Sequence, residues 1–206
     1  MTILKAMLLA GAAGHLLCGY TDCLLTYLPG GRFRFEQMRD NNALSETFRG
    51  MPPERALRSM LLGCTAMCLM LFGYLALCLW MRRYSRPCAA LMLLGCALFT
   101  TFGMAHHILC GVPEWLYVKL GRTEAARQLI DELFRRTAVT MVVCYAGFLV
   151  FGAALLFAVA TGLTPLPRWA WVFNVLPLML ALLPARVGGS GNWAGAIMFL
   201  GLLFML

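Results

Sequence analysis

The chain has 206 residues, 61% of them hydrophobic and 13% charged, with a net charge of +8 and a mean hydropathy of +0.77. Soluble domains are roughly 45–50% apolar and about 25% charged, so a soluble fold could not cover this much apolar surface, and the composition calls for a lipid solvent. The positive charge does not point to nucleic acid, because the 17 basic residues lie between apolar runs or at their ends, where lipid headgroups and orientation rules account for them.

A helix crosses the hydrocarbon core with roughly 20 apolar residues. Apolar runs divided by charges and by Pro/Gly breaks predict one all-α integral membrane domain over residues 1–206, a bundle of about six transmembrane helices. The first span covers about Lys5 to Leu28 and stops at Pro29-Gly30-Gly31. It carries a single Lys, and its apolar run continues past the small residues at positions 10–14. It therefore reads as an uncleaved span rather than a leader. His15 and Asp22 are seven residues apart and share a face with Cys18 between them. A long loop follows that mixes Arg and Phe, as interfacial segments do. Pro52-Pro53-Glu54 marks the next helix start.

The second span is about Leu57 to Trp80, and the third, after "RRYSR", about Pro87 to Cys110. In the third, Cys96, Thr100, Gly103, His107 and Cys110 recur at spacings of four and three. His107 therefore belongs to a small, polar stripe, whereas His106 is turned about 100° away, toward Phe99 and Phe102. The loop "RTEAARQLIDELFRR" predicts a short amphipathic helix, N-capped by Thr123, with Leu129, Ile130, Leu133 and Phe134 on its apolar edge. The fourth span is about Thr137 to Ala160. The fifth, Trp169 to Leu183, should kink at Pro177. The sixth, Trp193 to Leu206, is short and follows the flexible turn "GGSGN".

Alternating loops put both termini on one side of the bilayer and the long loops on the other. Lys and Arg number 12 on the long-loop side (6 + 5 + 1) and 5 on the terminal side, so the positive-inside rule tilts the long loops toward the cytoplasm. The nine cysteines lie in or beside apolar runs and form no CxxC pair, so they read as packing residues. Nucleotide-binding and serine-hydrolase signatures are absent from the sequence.

Eight of the nine acids fall in two loops, which leaves Asp22 as the one formal charge well inside a predicted span. A carboxylate there costs several kcal/mol unless protonated, paired or hydrated, and by default it marks function. Span directions and the rise of 1.5 Å per residue put Asp22 roughly 9 Å and His107 roughly 5 Å below the long-loop face. Thr140, Arg186 and Asn192 lie at matching depths, with His15 deeper. Asp22, His107, His15, Thr140, Arg186 and Asn192 are therefore the candidate ligand- or proton-binding residues. Asn174 falls on the opposite side.

The stretch "GYTDCLLTYLPGG" resembles the first span of uncharacterised bacterial multi-pass membrane proteins. That resemblance implies a bacterial cytoplasmic membrane and no particular activity. The residue types His15, Asp22, His106 and His107 are similar to those of ceramidase-like membrane hydrolases, in which His and Asp in a helical bundle hold zinc. The chain departs from that family by having no late His-x-x-x-His pair and no seventh span. No cofactor is required by the motifs, and zinc is the metal these residue types would suit. Three functions fit: binding or transport of a small or lipid-like molecule at a buried polar site near one membrane face, metal-dependent hydrolysis, and a non-catalytic scaffold in which the polar stripe only locks helices. The expected partners are the lipid bilayer, a small-molecule or lipid ligand and a second copy of the chain, not nucleic acid.

Overall fold

The computed structural model describes residues 2–206. Apart from one small hairpin its regular structure is helical. Four helices are long and apolar enough to cross a membrane: α1 (Ile3–Thr26), α3 (Glu54–Met81), α4 (Arg86–Lys119) and α5 (Glu124–Ala160). The helix starts follow local chemistry. The Thr2, Ser85 and Thr123 side chains accept hydrogen bonds from the backbone N–H groups of Lys5, Cys88 and Ala126, and α3 starts directly after Pro53.

The ends of α1 and α3 lie within a few residues of the expected first and second spans, whereas the helices at the third and fourth continue beyond the apolar runs. α4 continues nine residues past Cys110, and the segment expected as a separate amphipathic helix is the start of α5, so only residues 120–123 separate the two. Pro113 does not end α4. The first turns of α5 are stabilised by ion pairs at helical spacing, Glu124 with Arg127, Asp131 with Arg135 and Glu132 with Arg136.

The bundle of about six spans resolves into these four helices plus two shorter segments. The fifth consists of a 3-10 turn (Arg168–Phe173), helix α6 (Val175–Leu182) and a second 3-10 turn (Leu183–Ala185). Its interruption lies at Asn174, whose backbone is extended, not at Pro177. Pro177 is the third residue of α6, in the first turn, where a helix has no use for its N–H. The sixth segment is α7 (Ser190–Met205). Helix α2 (Asn41–Thr47) and the antiparallel pair β1 (Tyr27–Leu28) and β2 (Gly31–Arg32) occupy the long first loop.

The apolar helices close a ring. α1 packs on α3, α3 on α4 and α4 on α5; the 3-10 turn and α6 lie between α5 and α7, and α7 returns to α1. Tyr74 of α3 fills the centre, fully buried, with its ring 5.1 Å from Phe99, 4.6 Å from Phe151 and 5.2 Å from Phe199. Two glycine pairs let the backbones meet. A Cβ on Gly11 would lie 3.0 Å from the Cα of Gly73, and one on Gly95 would lie 2.6 Å from the carbonyl oxygen of Gly147.

A second apolar cluster lies at the end of the bundle where α1 finishes. Leu28, Met38, Leu44 and Phe48 of the first loop pack with Tyr117 of α4 and Ala126 and Ile130 of α5. The Tyr117 hydroxyl donates to Asn41 Oδ1 at 2.7 Å, and Asn41 Nδ2 donates to the Arg122 carbonyl at 3.2 Å. The long loop is therefore a folded cap on the extended ends of α4 and α5.

Candidate functional site

Five side chains from four helices form one polar chain beneath this cap. Its core is Asp22, one turn before the end of α1. Asn192, at the start of α7, donates from Nδ2 to Asp22 Oδ2 at 2.8 Å. That fixes the amide: its Oδ1 faces His15 Nδ1 at 3.0 Å and must accept. His15 then carries its proton on Nδ1. Its Nε2, 2.9 Å from the Tyr74 hydroxyl, accepts from it. The directions are consistent from Tyr74 to Asp22, and each donor has one acceptor.

The other carboxylate oxygen is placed differently. Asp22 Oδ1 is 3.6 Å from His107 Nδ1, beyond hydrogen-bond length. His107 Nε2 is 3.0 Å from the Ser59 carbonyl oxygen, and a carbonyl can only accept, so Nε2 carries a proton. The Ser59 hydroxyl donates to the Thr21 carbonyl at 2.9 Å and so holds α3 to α1 beside the site. In the neutral ring the Nδ1 lone pair is therefore aimed at the carboxylate. Cys18 lies one turn before Asp22, and its sulfur completes a trio: Cys18 Sγ, an Asp22 oxygen and a His107 ring nitrogen lie within 4.8 Å of one another.

Glycines make room for both imidazoles. A Cβ on Gly63 would fall 2.0 Å from His107 Cδ2, and one on Gly195 would fall 2.3 Å from His15 Cε1. Gly189, at φ +70°, passes over Asp22, where a Cβ would lie 2.8 Å from Oδ2. The loop before α7 is tied down by Gly188, whose N–H donates to the Tyr27 hydroxyl at 3.1 Å and whose carbonyl accepts from Trp193 Nε1 at 3.0 Å. His15 and His107 are buried, while the Asp22 side chain keeps 28% of its surface exposed. The N-terminal end of α7 also points its positive dipole end at this carboxylate.

The structure brings together Asp22, His107, His15 and Asn192 of the candidate set and leaves two members outside. Thr140 donates to the Thr137 carbonyl at 2.8 Å and sits 3.4 Å from His106 Nδ1, not against His107 or Asp22. Arg186 is exposed, in a left-handed backbone conformation at φ 49°, and makes no ion pair among the described residues. Of the four metal candidates, His106 faces Cys110 and Thr140, and His15 is consumed by Asn192 and Tyr74. Neither joins the trio. α4 runs 12 residues beyond His107, roughly 18 Å of helix. Asn174 acts structurally, with Nδ2 donating to the Gly152 carbonyl at 2.9 Å and Oδ1 capping α6.

Two participants were not anticipated from the sequence. Ser59 and Tyr74 are the far partners of the two histidines, whereas Cys18 lies on the expected face of α1, beside Asp22. A stripe of Ser59, Gly63, Ala66, Met70 and Gly73, spaced by four and three, carries the signal for Ser59. A second acid is enclosed outside the predicted spans. Glu114, assigned to a loop by the sequence, lies in the extended part of α4 at 2% exposure, and its Oε2 has no hydrogen-bond partner among the described residues. No curated protein and no solved structure matches the chain. A family model matches residues 1–206 from end to end, and the chain belongs to that family, described as a family of unknown function (DUF6796).

Proposed function

We propose that this chain is a multi-pass protein of a bacterial cytoplasmic membrane that binds a small cationic ligand at Asp22, in a polar core beneath a folded cap. The apolar exterior of the four long helices supports the membrane setting. Leu61, Leu79, Val142, Leu149 and Phe157 are all exposed there, and water would not tolerate such a surface. α6 and α7 complete the expected six segments as short crossings or partial crossings.

One observation carries the binding reading. The Asp22 carboxylate has one oxygen tied to Asn192 and the other turned to a histidine nitrogen that can present a lone pair at 3.6 Å. A lone pair facing a carboxylate oxygen is repulsive until something positive sits between them. A helix-locking role alone would be served better by a direct hydrogen bond. The transport and hydrolase readings both require such a binding site first.

The test is thermal stability of the purified protein in lipid nanodiscs, titrated with protons and with sodium, potassium, magnesium, calcium and zinc ions. One or more should stabilise the wild type, and Asp22→Asn should abolish that response. A wild type indifferent to all of them, with Asp22→Asn lowering only basal stability, would leave the scaffold reading in its place. Tags at the two termini should be accessible from the same side.

A further inference from the structure

We infer that the ligand is a borderline transition metal ion of the zinc class, held by Cys18 Sγ, Asp22 Oδ1 and His107 Nδ1, with a fourth position left for water or substrate. This rests on the proposed cation site and gives it a chemical identity.

The geometry fits. Around zinc, bonds of about 2.0–2.1 Å to nitrogen and oxygen and about 2.3 Å to sulfur at tetrahedral angles separate N from O by ~3.4 Å and S from either by ~3.6 Å. The His107 Nδ1 to Asp22 Oδ1 separation is 3.6 Å, and Cys18 Sγ lies within 4.8 Å of an Asp22 carboxylate oxygen and a His107 ring nitrogen. A carboxylate, an imidazole and a thiol are also a donor set that hard cations do not select. Sodium, calcium and magnesium take oxygen ligands and gain nothing from sulfur.

The surroundings match what metal ligands need. A metal-bound histidine donates its other ring N–H to a carbonyl or carboxylate, which sets the tautomer and the ring plane. His107 Nε2 does this to the Ser59 carbonyl at 3.0 Å. His107 is 7% exposed, and its Nδ1 has no hydrogen-bond partner among the described residues. Asn192 performs the corresponding service for Asp22, holding Oδ2 at 2.8 Å so that Oδ1 turns inward. Cys18 and Asp22 are four residues apart on α1 and offer two ligands from one helix face, with the third from α4. Binding removes the Cys18 thiol proton to solvent, and the metal then carries thiolate, carboxylate and neutral imidazole. A site with three protein ligands and an open position is the catalytic rather than the structural pattern.

The experiment is metal analysis of the full-length protein purified without chelator, together with cobalt(II) titration followed by absorption, for wild type, Cys18→Ser, Asp22→Asn and His107→Ala. The wild type should hold about one zinc per chain, and bound cobalt should give a sulfur-to-metal charge-transfer band in the near ultraviolet. Cys18→Ser should lose that band and bind zinc at least tenfold more weakly, the metal-free protein still unfolding in one cooperative transition. Asp22→Asn and His107→Ala should bind none. A wild type without zinc or cobalt binding overturns the metal assignment. So does a Cys18→Ser variant that binds as the wild type does. Stabilisation by sodium or calcium that needs Asp22 but ignores Cys18 would overturn it as well, while leaving the proposed cation site standing.

Discussion

The contact between α3 and His107 is tight enough to be tested with one methyl group. In Gly63→Ala the added Cβ would stand 2.0 Å from His107 Cδ2 and 2.1 Å from Nε2. Carbon–carbon contact begins near 3.4–3.5 Å, so the ring must retreat by about 1.4 Å (3.4 − 2.0) or α3 must move off α4. Either response stretches the 3.0 Å bond from His107 Nε2 to the Ser59 carbonyl past hydrogen-bond range. Overpacking of a filled interior costs about 1–3 kcal/mol, and a buried polar pair left unmade costs about 1–3 kcal/mol more. The sum is roughly 2–6 kcal/mol, or about 4–24 °C in melting temperature at 2–4 °C per kcal/mol for a chain of this size. The assay is thermal unfolding read by a fluorogenic maleimide, because Cys78, Cys88, Cys96 and Cys144 are buried and free. Gly191→Ala is the control, since its Cβ meets only Met179 Cε at 4.0 Å. Removing the ring should relieve the clash, so Gly63→Ala in a His107→Ala background should cost at least 1 kcal/mol less than in the wild type. If Gly63→Ala melts with Gly191→Ala, or the double variant is merely additive, the packing of His107 into the α3 glycine gap is wrong.

Asn192→Leu removes the donor to Asp22 Oδ2 and the acceptor for His15 Nδ1 together; it should lower stability by about 2–4 kcal/mol, checked by the same melt. Glu114→Met should raise the melting temperature by a few degrees, because a fully buried carboxylate with an unpaired oxygen is replaced by an apolar chain of similar length; a lower melting temperature would show that Glu114 has a stabilising partner. A lipid-soluble maleimide should modify Cys68, which is exposed on α3, well below the melting temperature while Cys78 and Cys96 stay protected, as read by peptide mass spectrometry.

The long helices were legible because lipid-type composition imposes length. Lys5 to Leu28 and Leu57 to Trp80 match α1 and α3 within a few residues, since charged residues and Pro/Gly breaks bound them. The same rule failed at the third and fourth spans. There the apolar run stops but the helix does not, because residues 111–119 and 124–136 are amphipathic and pack against the first-loop cap. Charge near a membrane marks the end of a span, not the end of a helix. The fifth segment misled for the opposite reason. Pro177 looked like a kink in the middle of a span, but the break lies three residues earlier, which places the proline in a first turn.

Helical phase separated the two histidines: His107 faces the α1–α3 side, whereas His106, expected toward Phe99 and Phe102, meets Thr140 and Cys110, which the same reading had grouped with His107. Two members of the depth-matched set stand apart from the others: Arg186 is exposed and makes no ion pair among the described residues, and Thr140 meets His106. Partners contributed by other helices, such as Ser59 and Tyr74, carry no charge and sit in ordinary small-residue or aromatic surroundings, so composition could not single them out.

The start of α7 explains how the polar chain is closed. Asn192, the third residue of α7, donates to Asp22, four residues before the end of α1. The helix start therefore brings an amide side chain and a positive helix end to a carboxylate inside the bundle. Gly188 and Gly189 form the crossing above it, with Gly189 in the left-handed conformation that glycine adopts without cost. A Cβ at Gly189 would stand 2.8 Å from Asp22 Oδ2, so a bulkier residue there would push the loop off the carboxylate that Asn192 holds.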